Sequence, residues 1–183
     1  NYPIYHLDFE TFASAVPVFD GSRPYQQMVF QYSLHIEHKA GQLDHREYLA
    51  EVNGEDPRIK FIEQMIYDCG DSGDVLVYNI GFERGKLFDL IEFSPKHKVP
   101  ILKIIDRLKD LMVPFRDRMY YTPSMQGSYS IKKVLPALVP ELSYKMLNIQ
   151  EGGTASNTFS QMVQGSFKGD AVQTRKDLLA YCK

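Results

Sequence analysis

Three β-rich runs follow one another at the start of the chain, and they limit its fold more than any other feature. Tyr2 to Phe9 is aromatic and aliphatic and leads into a carboxylate cluster, and Met28 to Ile36 is apolar. Leu43 to Leu49 returns after the turn Lys39-Ala40-Gly41-Gln42. With Asp20-Gly21-Ser22-Arg23-Pro24 as the loop between the first two runs, the expectation is an antiparallel three-strand meander.

Helical spacing then takes over. Asp56-Pro57 supplies a cap and a first helical residue, and Ile59, Ile62, Ile66 and Cys69 follow at helical intervals. Val75-Leu76-Val77-Tyr78 reads as a short buried strand, and a helical pattern from Phe82 to Phe93 stops before Pro95. Leu102 to Met112 fits a helix, or a helix followed by a short strand, and periodicity does not separate the two. Ser128 or Ser130 caps a helix holding Ile131, Val134, Leu135 and Leu138, which Pro136 must kink or shorten. Gly152-Gly153 is expected to open a loop, Thr154 to cap another short helix, and Asp170 to Lys183 to form a final helix without a stop signal. Strands first, then helices alternating with a further strand, predict an α/β domain with a mixed central sheet flanked by helices. No repeat or low-complexity stretch divides the chain, so residues 1–183 are read as one domain.

No apolar run approaches the length of a membrane span, and the first residues lack a signal-peptide pattern. Cys69 and Cys182 form no Cys-x-x-Cys pair, which suits a reducing compartment. A cytoplasmic location without membrane contact is expected. The formal net charge of −2 excludes a broad basic platform, so any nucleic-acid ligand must be gripped locally, with metal ions supplying positive charge.

Asp8 and Glu10 are two apart on the first strand and therefore share a face. Hard divalent ions such as Mg²⁺ or Mn²⁺ prefer such carboxylates, although an ordinary acidic strand end looks the same. Glu83 follows the carboxyl end of the Val75–Tyr78 strand, where open α/β sheets gather ligand sites. Alone it is better read as a first-turn acid favoured by the helix dipole, worth at most ~1 kcal/mol. His35, His38 and His45 are a poor zinc site, because the first two point to opposite faces of a strand. Tyr120, Tyr121 and Tyr129 form the one tyrosine cluster kept as a candidate substrate contact. No phosphate-binding Gly-x-x-x-x-Gly-Lys loop occurs, and no nucleophile elbow surrounds Ser128.

Taken together, Asp8-Phe9-Glu10-Thr11 and Asn79 to Glu83 resemble the first two motifs of the DEDD, or DnaQ-like, 3′→5′ exonuclease superfamily, Asp-x-Glu and Asn-x-x-x-Asp. Glutamate at 83 replaces the usual aspartate and reaches one methylene further. Tyr181-Cys182-Lys183 begins the tyrosine form of the third motif, Tyr-x-x-x-Asp, whose final aspartate falls past Lys183. With Arg23-Pro24-Tyr25-Gln26-Gln27, Gly127 to Lys132 and Leu179-Ala180-Tyr181-Cys182, the whole chain resembles a bacterial uncharacterised family in that superfamily, often following a RecB-like nuclease region.

The resemblance implies a ribonuclease-H-like fold and a two-metal exonuclease acting on single-stranded DNA or RNA 3′ ends. It implies Asp8, Glu10 and Glu83 as ligands of two Mg²⁺ or Mn²⁺ ions and Tyr181 as the residue that orients the attacking water. Thr11, Phe12 and Asn79 are implied substrate contacts, although buried packing at the strand end suits Phe12 equally well. Asp106 is a weaker candidate between the second and third motifs, where a capped helix end or surface pair is the better reading. The alternative is a catalytically degenerate module that binds nucleic acid or a partner. Because the third motif is incomplete here, the segment is expected to hold metals weakly and to cut slowly or not at all.

Overall fold

A computed structural model describes residues 1–142 and 147–183. Its centre is a five-stranded mixed sheet with strand order β3-β2-β1-β4-β5. Strand β1 (Ile4–Phe12) pairs antiparallel with β2 (Met28–Lys39), which pairs antiparallel with β3 (Gln42–Leu49). The expected turn closes at Lys39 opposite Gln42, with Gly41 at φ +78°, a conformation that glycine adopts without a Cβ clash. Strand β4 (Asp74–Val77) runs parallel to β1, and β5 (Leu108–Asp110) runs parallel to β4. This α/β architecture is compatible with a ribonuclease-H-like fold.

Strand β1 extends beyond the expected Phe9, because Thr11 and Phe12 still pair with Val29 and Met28. Asp8 and Glu10 consequently stand within the strand rather than at its exposed end. Helix α1 (Arg58–Cys69) starts behind Asp56, whose Oδ1 accepts the Arg58 backbone N–H at 3.0 Å. Its buried face is Arg58, Phe61, Ile62, Met65, Asp68 and Cys69, while Ile59 and Ile66 are only half-buried. Buried Asp68 is tolerated because the Tyr32 hydroxyl and the Arg46 guanidinium both donate to it, at 2.5 and 2.9 Å.

Helix α2 (Ile80–Phe93) and a 3-10 turn at Pro95–His97 lead to α3 (Lys98–Asp106). The ambiguous stretch from Leu102 to Met112 is thus the end of a helix followed by strand β5. Three residues carry no readable period, and it is pairing of Leu108 and Asp110 with Val75 and Val77 that defines the strand.

The two faces of the sheet bury different clusters. Tyr5, Leu7 and Phe9 pack with Tyr32, Leu34, Val75 and Val77 beneath α1, α2 and α3. On the other face, Phe12, Phe30, Leu49 and Ile149 pack under α6 (Gly152–Val163) and α7 (Ala171–Cys182) through Ala155, Phe159, Met162 and Leu178. A β-bulge joins these arrangements. Glu10 faces Gln31, but Thr11 faces Val29, so Phe30 is the extra residue and turns to the face that holds Phe12. Phe30 stacks on Phe159 with ring centroids 4.1 Å apart.

Helices α4 (Val113–Arg116) and α5 (Ile131–Leu138) connect the sheet to these late helices. Helix α5 begins behind Ser130 and ends two residues after Pro136. The Gly152-Gly153 pair does not form the expected loop, and Thr154 is not the cap. Both glycines lie in the first turn of α6, behind Glu151, because burial of Ala155, Phe159 and Met162 outweighs the poor helix propensity of glycine. Asp170 caps α7 by accepting the N–H groups of Val172 and Gln173 at 2.9 and 3.0 Å. Among the described residues no helix is long and apolar enough to cross a membrane.

Candidate active site

Alternation along β1 points Tyr5, Leu7 and Phe9 into the first core, and therefore points His6, Asp8 and Glu10 to the opposite face. Beside the second apolar cluster that face opens as a cleft of about 450 Å³, lined by His6, Asp8, Ser33, His35, Tyr78 and residues of α5 and α7. Helix α7 is fixed on this face by two polar anchors. The buried Gln31 side chain donates to the Leu178 carbonyl at 2.8 Å, and Arg175 donates to the carbonyls of Ala50 and Leu49 at 2.8 and 3.3 Å. One turn after these anchors, Tyr181 brings its hydroxyl to the first turn of α6 at Gly152, which Glu10 also borders. The hydroxyl and Glu10 Oε2 lie 3.5 and 3.6 Å from the point that a Cβ on Gly152 would occupy.

Glu83 is 1% exposed in the first turn of α2, and its Oε2 has no hydrogen-bond partner. Burial, then the nearby charges of Asp8 and Asp110, raises its carboxyl to about 8 against the opposing effect of its own backbone N–H. Burial and then Asp8 likewise raise Glu10 to about 8, with the Lys132 ammonium acting the other way. Asp8 is open to solvent at the cleft, yet protein surrounds it closely enough that desolvation lifts its carboxyl to about 6, opposed by the Phe9 backbone N–H. Exposure measures an open path to water, whereas desolvation measures how much water the surrounding protein displaces, so both descriptions hold for a cleft floor. Among the described residues, no three His, Cys, Asp or Glu side chains are grouped closely enough to hold an ion as they stand. Asp8, Glu10 and Glu83 are neighbours through their fields. The donor set nevertheless suits a hard divalent cation, since all three are oxygen donors, all are raised, and one buried oxygen lacks a partner.

The other expected residues are placed unequally. Asn79 is exposed at the N-terminus of α2 in a left-handed conformation, φ 81°, and its backbone N–H donates to Asp110 Oδ1 at 3.1 Å. Thr11 is buried just past the bulge. Phe12 is fully buried, with ring centroids 5.1, 6.0 and 6.4 Å from those of Phe159, Phe30 and Phe19. Its reading as a nucleotide contact is corrected: the ring fills the second apolar cluster and presents no surface to a ligand. Asp106 is exposed at the last position of α3. The aspartate between the second and third motifs that does approach the carboxylates is Asp110, which also accepts the Met112 backbone N–H at 2.9 Å. Sequence reasoning missed Asp110 because its strand could not be separated from a helix.

Two further neighbours escaped notice. Cys182 lies with Sγ 3.9 Å from the Asp8 carbonyl oxygen and 4.0 Å from Oδ2. Burial and then the adjacent Asp8 and Glu10 raise its thiol well above the usual range, so it stays protonated. Lys132 reaches the Gln150 carbonyl at 3.2 Å while its charge acts on Glu10. The adjacency of Cys182 to Tyr181 was the one available signal. Among the histidines, His35 and His45 share a face with ring centroids 4.4 Å apart, whereas His38 is exposed and pairs with Asp44 at 2.8 Å.

Fold and site together define an α/β domain whose central strand and the first turn of α2 place Asp8, Glu10 and Glu83 within electrostatic reach of one another, with Asp8 on the wall of the cleft. The chain belongs to the family described as a domain of unknown function, DUF2779, whose pattern matches residues 5–130. It is 29% identical over 199 residues to the Uncharacterized protein MG366 homolog of Mycoplasma pneumoniae, covering 97% of this chain and 30% of that protein. It is 30% identical over 169 residues to Uncharacterized protein UU173 of Ureaplasma parvum, covering 80% of this chain and 24% of that protein. The chain therefore spans less than a third of the length of these relatives. No solved structure matches it.

Proposed function

We propose that this domain is a metal-dependent 3′→5′ exonuclease that hydrolyses phosphodiester bonds at single-stranded nucleic-acid ends. The observation that carries the reading is the uncompensated carboxylate set, above all the buried Glu83 Oε2 without a hydrogen-bond partner. A buried carboxylate in that state is costly unless it is protonated or met by a cation. Asp8, Glu10 and Glu83 would hold two divalent ions, Mg²⁺ or Mn²⁺, which when bound supply charge stabilisation and a more acidic water. Tyr181, beside Glu10, orients that water with its hydroxyl. Its high unperturbed pKa suits it to positioning rather than to removing the proton. Thr11 and Asn79 border the set and serve the terminal nucleotide. A RecB-like nuclease region is the partner we propose within a longer protein, and the length of the relatives accommodates it.

The second reading, a degenerate module that binds without cutting, draws on one observation: the three acids are not grouped at ion-holding distance. The test incubates the protein, extended by about two helical turns past Lys183 so that the third motif can be completed, with 5′-labelled single strands in Mn²⁺, with EDTA as control. Stepwise shortening from the 3′ end supports the exonuclease. Binding with intact strands favours the module, and neither binding nor cutting overturns both readings.

A further inference from the structure

The segment that leaves the cleft after β5 at Leu111 and returns to it at Ile131 of α5 carries three exposed tyrosines. It leaves beside Asp110, whose Oδ1 holds the backbone N–H groups of Asn79 and Met112. It returns at Lys132, which bonds the Gln150 carbonyl two residues before Gly152 and hence next to Glu10. Between these points Tyr120, Tyr121 and Tyr129 are 46%, 53% and 47% exposed. Single exposed rings are common on protein surfaces, and it is their grouping on one segment beside the cleft that points to a ligand.

The rings are held from beneath. Phe115 stacks on Tyr78 with centroids 6.4 Å apart, and Tyr120 meets Phe115 edge-on at 6.1 Å. The Tyr78 hydroxyl donates to the Tyr129 carbonyl at 2.5 Å, and the Tyr121 hydroxyl accepts the Gly127 N–H at 3.1 Å. The Tyr120 ring edge, the Tyr121 hydroxyl and the Tyr129 backbone are thus tethered while ring area stays open, which lowers the entropy lost when a flat ligand stacks. Charge runs the same way. From Leu111 to Lys133 the sequence has four basic residues, Arg116, Arg118, Lys132 and Lys133, against the single acid Asp117, in a chain whose formal net charge is −2. Exposed rings interleaved with cations fit an anionic polymer that carries a flat group on each unit.

We propose that the segment from Leu111 to Lys133 is a stacking platform for single-stranded nucleic acid, which guides the strand into the carboxylate cleft. The name of the strand's destination rests on the exonuclease reading, but the platform itself is testable without cleavage. A fluorescein-labelled oligothymidylate is titrated with the protein in EDTA, and binding is read by anisotropy. The wild-type chain binds, and replacing Tyr120 and Tyr121 together by alanine weakens binding by about tenfold or more, as loss of base stacking requires. Tyr120→Phe and Tyr121→Phe keep the rings and keep the affinity. Arg118→Ala, which leaves the rings in place, lowers the slope of log affinity against log salt by about 0.7, the loss of one phosphate contact on a single strand. No binding by the wild type, equal binding by the alanine variant, or self-association that this variant abolishes overturns the proposal. Binding that follows the rings, while Mn²⁺ produces no cleavage by the protein extended about two helical turns past Lys183, removes the exonuclease reading and leaves the platform standing.

Discussion

The Tyr181 hydroxyl and the Glu10 carboxylate both border Gly152, each within 3.6 Å of the position where a side chain there would begin. Those distances are ordinary contact for a methyl group, so Gly152→Ala should fold normally and gain up to about 1 kcal/mol of helix stability. Gly152→Leu has no such room. It should part Tyr181 from Glu10 and reduce Mn²⁺-dependent cleavage at least tenfold, with little change in melting temperature. Leucine that leaves cleavage unchanged would show that the two groups do not act together.

Asp8→Asn tests the acid whose charge acts on both Glu10 and Glu83. Cleavage in Mn²⁺ should disappear, while the metal-free melting temperature should hold or rise because a charge is removed from a desolvated cluster. Calorimetry and the end-labelled strand assay read the two effects separately, and normal cleavage by the variant would remove Asp8 from the site.

The raised carboxyls give stability a definite pH dependence. Folding lifts Glu10 and Glu83 from 4.5 to about 8 and Asp8 from 3.8 to about 6. Between those limits the folded chain binds more protons than the unfolded chain, so stability is lost as pH rises. In EDTA the contribution of these groups should fall from pH 5 to pH 8 by at least about 1 kcal/mol, roughly 2–4 °C in melting temperature for a domain of this size. Mn²⁺ should restore stability at pH 8, and Glu83→Gln should flatten the profile. A profile equally steep in Glu83→Gln would place the effect elsewhere.

Phe12 separates a core role from a ligand role. Removal of its fully buried ring in Phe12→Ala should cost about 3–5 kcal/mol, while Phe12→Leu should retain strand binding and most of the stability. Denaturant melts and oligonucleotide binding decide it. A stable Phe12→Ala protein that binds strands poorly would return Phe12 to the binding surface.

Much of this architecture was legible because its signals are local. The Lys39–Gln42 turn and the Asp56-Pro57 helix start each depend on a few consecutive residues; the turn appears where they predict it, and the helix begins one residue later than expected, at Arg58. Strand alternation likewise put Asp8 and Glu10 on one face without reference to any partner. Elements defined by their neighbours were not legible in the same way. Strand β5 is three residues that exist by pairing with β4, and the first turn of α6 contains two glycines held by packing further along the helix.

The sequence by itself determined the meander, the helical second half and the acidic character of the first strand, since turns, caps and alternation are set by short-range sterics and hydrogen bonding. Only the tertiary structure decided which groups meet. The bulge at Phe30 turned an aromatic residue to the second face, where Phe12 joins it in a core. Parallel pairing brought Asp110 beside Asn79, and the anchors on Gln31 and Arg175 brought Tyr181 to Glu10 and Cys182 to Asp8. Those contacts join residues far apart in the chain, and their geometry depends on sheet register and helix docking, which no local pattern encodes.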